Sequence, residues 1–173
     1  MNKLFIGREK EQRQLKEYLS SDQSEFIAVY GRRRVGKTFL IQQVIGNNYA
    51  FYVAGMNNVS MRIQLKNFMH GMRKNGEDIH TADTWLDAFI ALEDYLDSLP
   101  EGNKIVFIDE MPWMDTPRSN FISGLEHFWN SWASWRDDIK LIVCGSATSW
   151  ILNNLIKNRG GLHNRVTHKI PLK

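Results

Sequence analysis

The sequence predicts an α/β protein with a parallel sheet covered by helices on both faces. Two observations predict it. The first is a set of short, nearly continuous apolar runs: FIAVY at 26–30, KIVFIDE at 104–110 and IKLIVCGS at 139–146. Such runs lack the polar alternation of a half-solvated sheet and read as strands buried on both faces. The second is that segments of helical length separate these runs, with apolar residues at helical spacing. Strands that alternate with helices make right-handed parallel crossovers.

The elements run in order along the chain. Residues 8–20, REKEQRQLKEYLS, read as a surface helix with Leu15, Tyr18 and Leu19 inward. FIAVY is the first strand. A helix begins in the glycine turn after it and carries Phe39, Leu40, Ile41 and Val44. NYAFYVAG at 48–55 reads as a second strand. Two helices come next, over 60–73 and 83–98; the latter shows Trp85, Phe89, Leu92, Tyr95, Leu96 and Leu99 at helical spacing. The third strand, KIVFIDE, ends on two acids. SNFISGLEHFWNSWASW reads as one long helix with a stripe of Phe121, Leu125, Phe128, Trp129 and Trp132. IKLIVCGS is the fourth strand, SWILNNLI another helix, and HKIPLK the beginning of a fifth strand. KNRGGLHNR at 157–165 is a glycine-rich loop.

At 173 residues the chain has the length of one domain with a real core. A hydrophobic content of 43% with mixed charges excludes a disordered chain. The net charge of +3 is mildly basic, which permits an acidic partner such as nucleic acid but equally reflects a phosphate site. Cys144 is the one cysteine, so no intrachain disulfide forms, and its apolar run makes it a small core residue. The opening MNKLFIGREKEQ lacks an apolar signal core, and no run approaches the ~18 apolar residues of a membrane helix, so the expected location is cytoplasmic.

The chemistry lies at two strand ends. GRRRVGKT, from Gly31 to Thr38, has the spacing of a phosphate loop and stands between a strand and a helix. Glycine lets the backbone wrap a phosphate, and the turn aims successive N–H groups and a helix N-terminus at the anion. The nucleotide-binding span is Gly31, Arg32, Arg33, Arg34, Val35, Gly36, Lys37, Thr38 and Phe39. Lys37 reaches the terminal phosphates, and the Thr38 hydroxyl ligates a magnesium ion that bridges them. Asp109 and Glu110 supply the second half: Asp109 holds the magnesium through a water and Glu110 polarises the attacking water. An acid pair favours ATP hydrolysis over phosphoryl transfer to a small molecule, and no guanine-reading Asn-Lys-x-Asp motif is present. Ser146, at the end of the fourth strand, either reaches the γ-phosphate or its water, or caps the next helix, a role Thr148 also fits.

FIGREKEQ, VYGRRRVGKTFLI, IVFIDEMPWM, LIVCGSATSWI and GGLHNRVTHKIPL together resemble the archaeal-type ATPase family, P-loop ATPases within the AAA+ and STAND assemblage. The resemblance spans almost the whole chain. It implies a three-layer sandwich with strand order 5-1-4-3-2, a single core domain over 1–173, and an adenine pocket lined by Phe5, Ile6, Gly7 and Arg8. It further implies a helical lid and a winged-helix or nuclease-like region beyond the core, and an arginine that contacts the γ-phosphate from the same or a neighbouring subunit. Arg165 matches that arginine best and Arg159 next.

Other residues decide less. Arg32, Arg33 and Arg34 add positive potential near the triphosphate, but loop side chains between the glycines point away from phosphate. Trp113 and Met114, just after the acids, read as a poorly buried loop that meets a partner or another part of the protein. The five histidines, His70, His80, His127, His163 and His168, show no metal-ligand spacing, and His163 and His168 read as loop surface. The leading expectation is an Mg-dependent ATPase that drives a conformational switch. The alternatives are a DNA-associated loader or defence-type component in which ATP controls assembly, and a scaffold that binds ATP with little turnover.

Overall fold

Strand β1, Glu25–Tyr30, is the spine of the fold, and every residue but its last is buried. The computed structural model describes residues 8–72 and 81–173. The order of elements is α1 (Glu9–Leu19), β1, α2 (Lys37–Ile45), β2 (Phe51–Ala54), α3 (Met61–His70), α4 (Trp85–Asp97), β3 (Lys104–Asp109), α5 (Phe121–Ser131), β4 (Ile139–Gly145), α6 (Thr148–Ile151) and β5 (His168–Pro171). All strand pairs are parallel, in the order β2-β3-β4-β1-β5. This is the expected 5-1-4-3-2 order read from the other edge.

Side chains alternate across each strand, so the sheet feeds two cores. Phe26 and Ala28 of β1 face the layer of α3, α4 and α5, with Val106, Ile108, Leu141 and Val143. Ile27 and Val29 face α1 and α2, with Phe107, Ile142 and Cys144. Leu15 anchors α1 there, and Leu40, Ile41 and Ile45 anchor α2. Phe39 and Val44 are only partly buried, and the inward stripe of α2 ends on Ile45. The larger core is aromatic: Trp85 meets Phe121 and Phe68 edge to face at 4.9 and 5.4 Å.

Four expectations need correction. The helix over 119–135 breaks at Trp132, whose backbone (φ −133°, ψ −65°) is not helical, and a 3-10 turn, Ala133–Trp135, leaves Trp135 84% exposed. Met114 is fully buried: Met111–Met114 form a 3-10 turn whose two methionines enter the larger core while Trp113 stays half-buried. His168 is not loop surface. It lies in β5, stacks on Tyr18 with ring centroids 3.6 Å apart, and approaches the buried Glu25 carboxylate at 3.3 Å. After α6 the chain widens into a π-helical turn, Leu152–Ile156, in place of a plain helix.

The end of the sheet opposite the glycine loop is closed by cations. The fully buried Lys140 donates its ammonium to the carbonyls of Ser21, Gln23 and Asp137. Arg136 makes a two-point contact with Asp138, also bonds Asp97 at 2.6 Å, and lies over the Trp132 ring. Arg136 and Lys104 hold the Asp138 carboxyl down to about 2.

Glu93, on α4, lies against α5 with its Oε2 3.7 Å from His127 Nδ1. Burial, then Asp94 and Asp97, push its carboxyl up to about 7. A carboxyl raised in the fold prefers its proton there, so ionised Glu93 opposes folding above about pH 7 and not below the ordinary value of 4.5. Glu93→Gln is therefore expected to raise Tm at pH 8 and to leave it unchanged near pH 4.5, which thermal unfolding at the two pH values checks.

Candidate nucleotide-binding site

The glycine loop begins where β1 ends. Arg34 (φ 64°) and Gly36 (φ 89°) both take left-handed backbone, which folds the chain back on itself before α2 starts at Lys37. Glycine suits this bend because it carries no Cβ to clash there. Lys37 is 5% exposed; its ammonium donates to the carbonyls of Gly31 (2.8 Å) and Arg32 (2.7 Å), which uses two of its three donors. The first amides of α2 have no intrahelical acceptors and carry the positive end of the helix dipole, a ready anion site.

The acid pair stands at the end of β3. Asp109 is 4% exposed, and a buried carboxylate without partners would cost several kcal/mol. Its partners are present: Thr38 Oγ1 donates to Oδ2 at 2.9 Å and the Glu110 amide donates to Oδ1 at 2.8 Å. The first of these bonds joins the glycine loop to the acid pair across β4. Glu110 then leaves the strand in left-handed backbone (φ 49°, ψ 41°). Burial and the neighbouring Asp109 raise its carboxyl above the ordinary range, while Lys37 and Arg33 pull it back. Arg33 thus acts on the acid although Arg32, Arg33 and Arg34 are all exposed. Cys144 is fully buried beside this site, and burial and Asp109 push its thiol well up, so it is a core residue.

Ser146 stands directly after the last residue of β4, between the ends of β1 and β3. It does not cap α6: Ala147 holds that position, without a side-chain bond, and Thr148 does not cap either. Arg165 lies at the wrong end of the sheet for its own loop. Thr167 bonds Phe26, near the start of β1, and Gly31 lies roughly 16 Å further along at ~3.3 Å per residue. Arg165 and Arg159 are both exposed. Arg8 is part of the loop's support: its guanidinium donates to the Val35 carbonyl at 3.2 Å and to that of Lys173 at 2.8 Å. Phe5, Ile6 and Gly7 lie outside the described residues.

Sequence reasoning missed the residues that hold the strand ends. The 1% exposed Gln64 bonds the backbone of Met56 and of Trp113, and Asn67 bonds the Ala54 carbonyl. Trp150 donates to Asp115 Oδ2 at 2.9 Å, which ties α6 to the segment after the acids. A glutamine at an inward helix position was the available signal for the first. A cavity of about 500 Å³ lined by Asp22, Asp97, Lys104 and Arg136 lies at the other end of the sheet, so donor chemistry and not cavity size locates the site.

The donor set fits magnesium. Thr38 and Asp109 offer a hydroxyl and a carboxylate within hydrogen-bond distance, both hard oxygen ligands. Among the described residues no group of three or more His, Cys, Asp and Glu forms a protein-only cage. Magnesium suits this arrangement, because it takes one or two protein ligands beside water and phosphate oxygens.

A parallel sheet of this order, with a glycine loop of phosphate-binding spacing after β1 and an acid pair two strands away at the end of β3, has the fold of a P-loop ATPase of the AAA+ kind. Residues 5–173 match the family of ATPase domains found predominantly in Archaea, and the chain belongs to that family. An uncharacterised protein of Methanocaldococcus jannaschii is 30% identical over 98% of this chain, which spans 36% of that protein's length. The Walker-type ATPase of Pyrococcus abyssi superposes with a TM-score of 0.67 at 18% identity, covering 97% of this chain and 53% of that one. The ORC2 protein of Aeropyrum pernix, solved in ADPNP and ADP complexes, gives 0.59 at 16% identity, covering 96% of this chain and 48% of that one. No helix among the described residues is long and apolar enough to cross a membrane.

Gly55, after β2, donates to the Asp109 carbonyl at 2.8 Å, and a Cβ on it would lie 2.3 Å from the Glu110 carbonyl oxygen. Gly55→Ala is expected to cost about 1–3 kcal/mol, read as a lower midpoint in urea unfolding.

Proposed function

We propose that this domain binds ATP with magnesium and hydrolyses it, and that the cycle drives a conformational switch. One observation carries the reading: the phosphate loop and the acid pair meet through the 2.9 Å bond between Thr38 and Asp109. The loop amides and Lys37 bind and orient the triphosphate. Thr38 and Asp109 would hold the metal, which when bound neutralises charge on the β- and γ-phosphates. Glu110 accepts a proton from the attacking water. Its raised carboxyl suits a base, which works best with a pKa nearer the working pH. Ser146 lies where it would contact the γ-phosphate or that water. Arg165, remote from its own loop, would act from a neighbouring copy.

A scaffold without turnover needs no buried metal-binding acid beside a second acid of raised basicity, so the geometry favours hydrolysis.

Lys37→Ala is expected to abolish ATP binding in titration calorimetry. Glu110→Gln should keep the ATP Kd within about twofold and lose at least ~10²-fold in kcat, the lower end for a general base. Wild-type turnover in Glu110→Gln overturns the base assignment. In wild type, kcat/KM should fall toward acid with a limb above the ordinary carboxyl value of 4.5, because Glu110 must be ionised to act. Activity per molecule should rise with protein concentration and lose that rise in Arg165→Ala; a flat profile in wild type rules out the neighbouring-copy arginine.

A further inference from the structure

The geometry points to Gln64 as a positioning residue for Glu110, acting through a closed ring of hydrogen bonds. Gln64 sits on the inward side of α3 and is 1% exposed. Its Oε1 accepts from the Met56 amide at 3.1 Å, and its Nε2 donates to the carbonyls of Met56 (2.5 Å) and Trp113 (3.1 Å). Both ends of that fork lead to Glu110. On one side, the Trp113 amide donates to the Glu110 carbonyl at 3.2 Å. On the other, Met56 follows Gly55, whose amide bonds the Asp109 carbonyl at 2.8 Å and on which a Cβ would lie 2.3 Å from the Glu110 carbonyl oxygen.

The ring has a reason to exist. Glu110 is a non-glycine residue in left-handed backbone, an unfavourable conformation that needs support around it. Only an amide fills the place of Gln64, because one atom must accept and the other must donate twice. A carboxylate there would face two carbonyls with no proton to offer. Asn67, one turn on, fixes the end of β2 by donating to the Ala54 carbonyl at 2.8 Å, so one helix face secures the segments on both sides of the ring.

The inference rests on the hydrolytic reading only for its kinetic consequence; the placement of Glu110 is testable without turnover. In the full chain, the Glu110 Cα and Cβ chemical shifts, which report its left-handed backbone, are read at one pH by carbon-13 NMR in wild type and in Gln64→Met, which matches the volume and removes all three bonds. The expected result is that both shifts move off their left-handed values in the variant. Where wild type turns over ATP, kcat should fall by about 10–100-fold, the scale of a misplacement near 1 Å, with the ATP Kd unchanged within about twofold.

An unmoved Glu110 backbone in a folded variant overturns the proposal. So does a loss of kcat and of ATP affinity in parallel with Tm, which would make Gln64 merely structural. If Gln64→Met does not fold, Gln64→Glu, isosteric but without the two donors, decides by the same readouts. Failure of both to fold also overturns the proposal. Absent turnover in wild type would sink the hydrolytic reading and leave the Glu110 backbone shifts to judge the ring.

Discussion

The whole arrangement depends on β4 being wedged between β1 and β3. Parallel pairing aligns Tyr30 with Gly145 on one side and Ile108 with Val143 on the other. The carboxyl ends of the three strands therefore finish at one level, which gathers a glycine loop, a serine and two acids at one end of the sheet. The spacing is that of neighbouring strands, ~4.8 Å each. The Thr38–Asp109 bond spans the inserted strand because α2 springs from the loop back across it.

That constraint also explains the division of cost in the molecule. The strand interiors are apolar on both faces and stabilise the fold by burial, with no role at the site. The polar expense is concentrated at the ends. Asp109 is buried but satisfied by a hydroxyl and an amide, and Lys37 by two loop carbonyls. At the opposite end, Lys140 and Lys104 are buried and bonded in the same way, to loop carbonyls and Asp138. The two ends differ in one respect. Lys140, opposite the site, has all three of its donors engaged with protein carbonyls, whereas the glycine loop leaves a lysine donor and helix amides for an anion.

The strand ends at the site are braced from the larger-core side. Gln64 and Asn67 of α3 hold the segment after β2, and Trp150 of α6 holds Asp115 after the acids. The π-helical turn Leu152–Ile156 comes directly after α6. Helices that carry these braces are the elements through which a change at the phosphate end would reach the rest of the molecule, since each bonds backbone or side chain within a few residues of Glu110.

Much of this was legible in the chain. The runs FIAVY, KIVFIDE and IKLIVCG announced strands buried on both faces, because only apolar residues fit there, and the spacing of GRRRVGKT between a strand and a helix announced the ATPase fold. The resemblance to archaeal-type ATPases supplied the strand order, which local pattern does not encode. Sequence could not say that Trp132 ends a helix whose apolar period continues, since its backbone breaks to bury Ala133 and let Arg136 reach Asp97 and Asp138. Nor could it place Met114 in the core or Arg165 at the far end of the sheet, because burial and distance depend on which strands become neighbours. Gln64 was invisible for the same reason: a glutamine acquires its role only when tertiary folding sets two carbonyls and an amide, distant in sequence, around one side chain. Residue type and spacing determined the chemistry available to this protein; the pairing of strands decided which of those residues could meet.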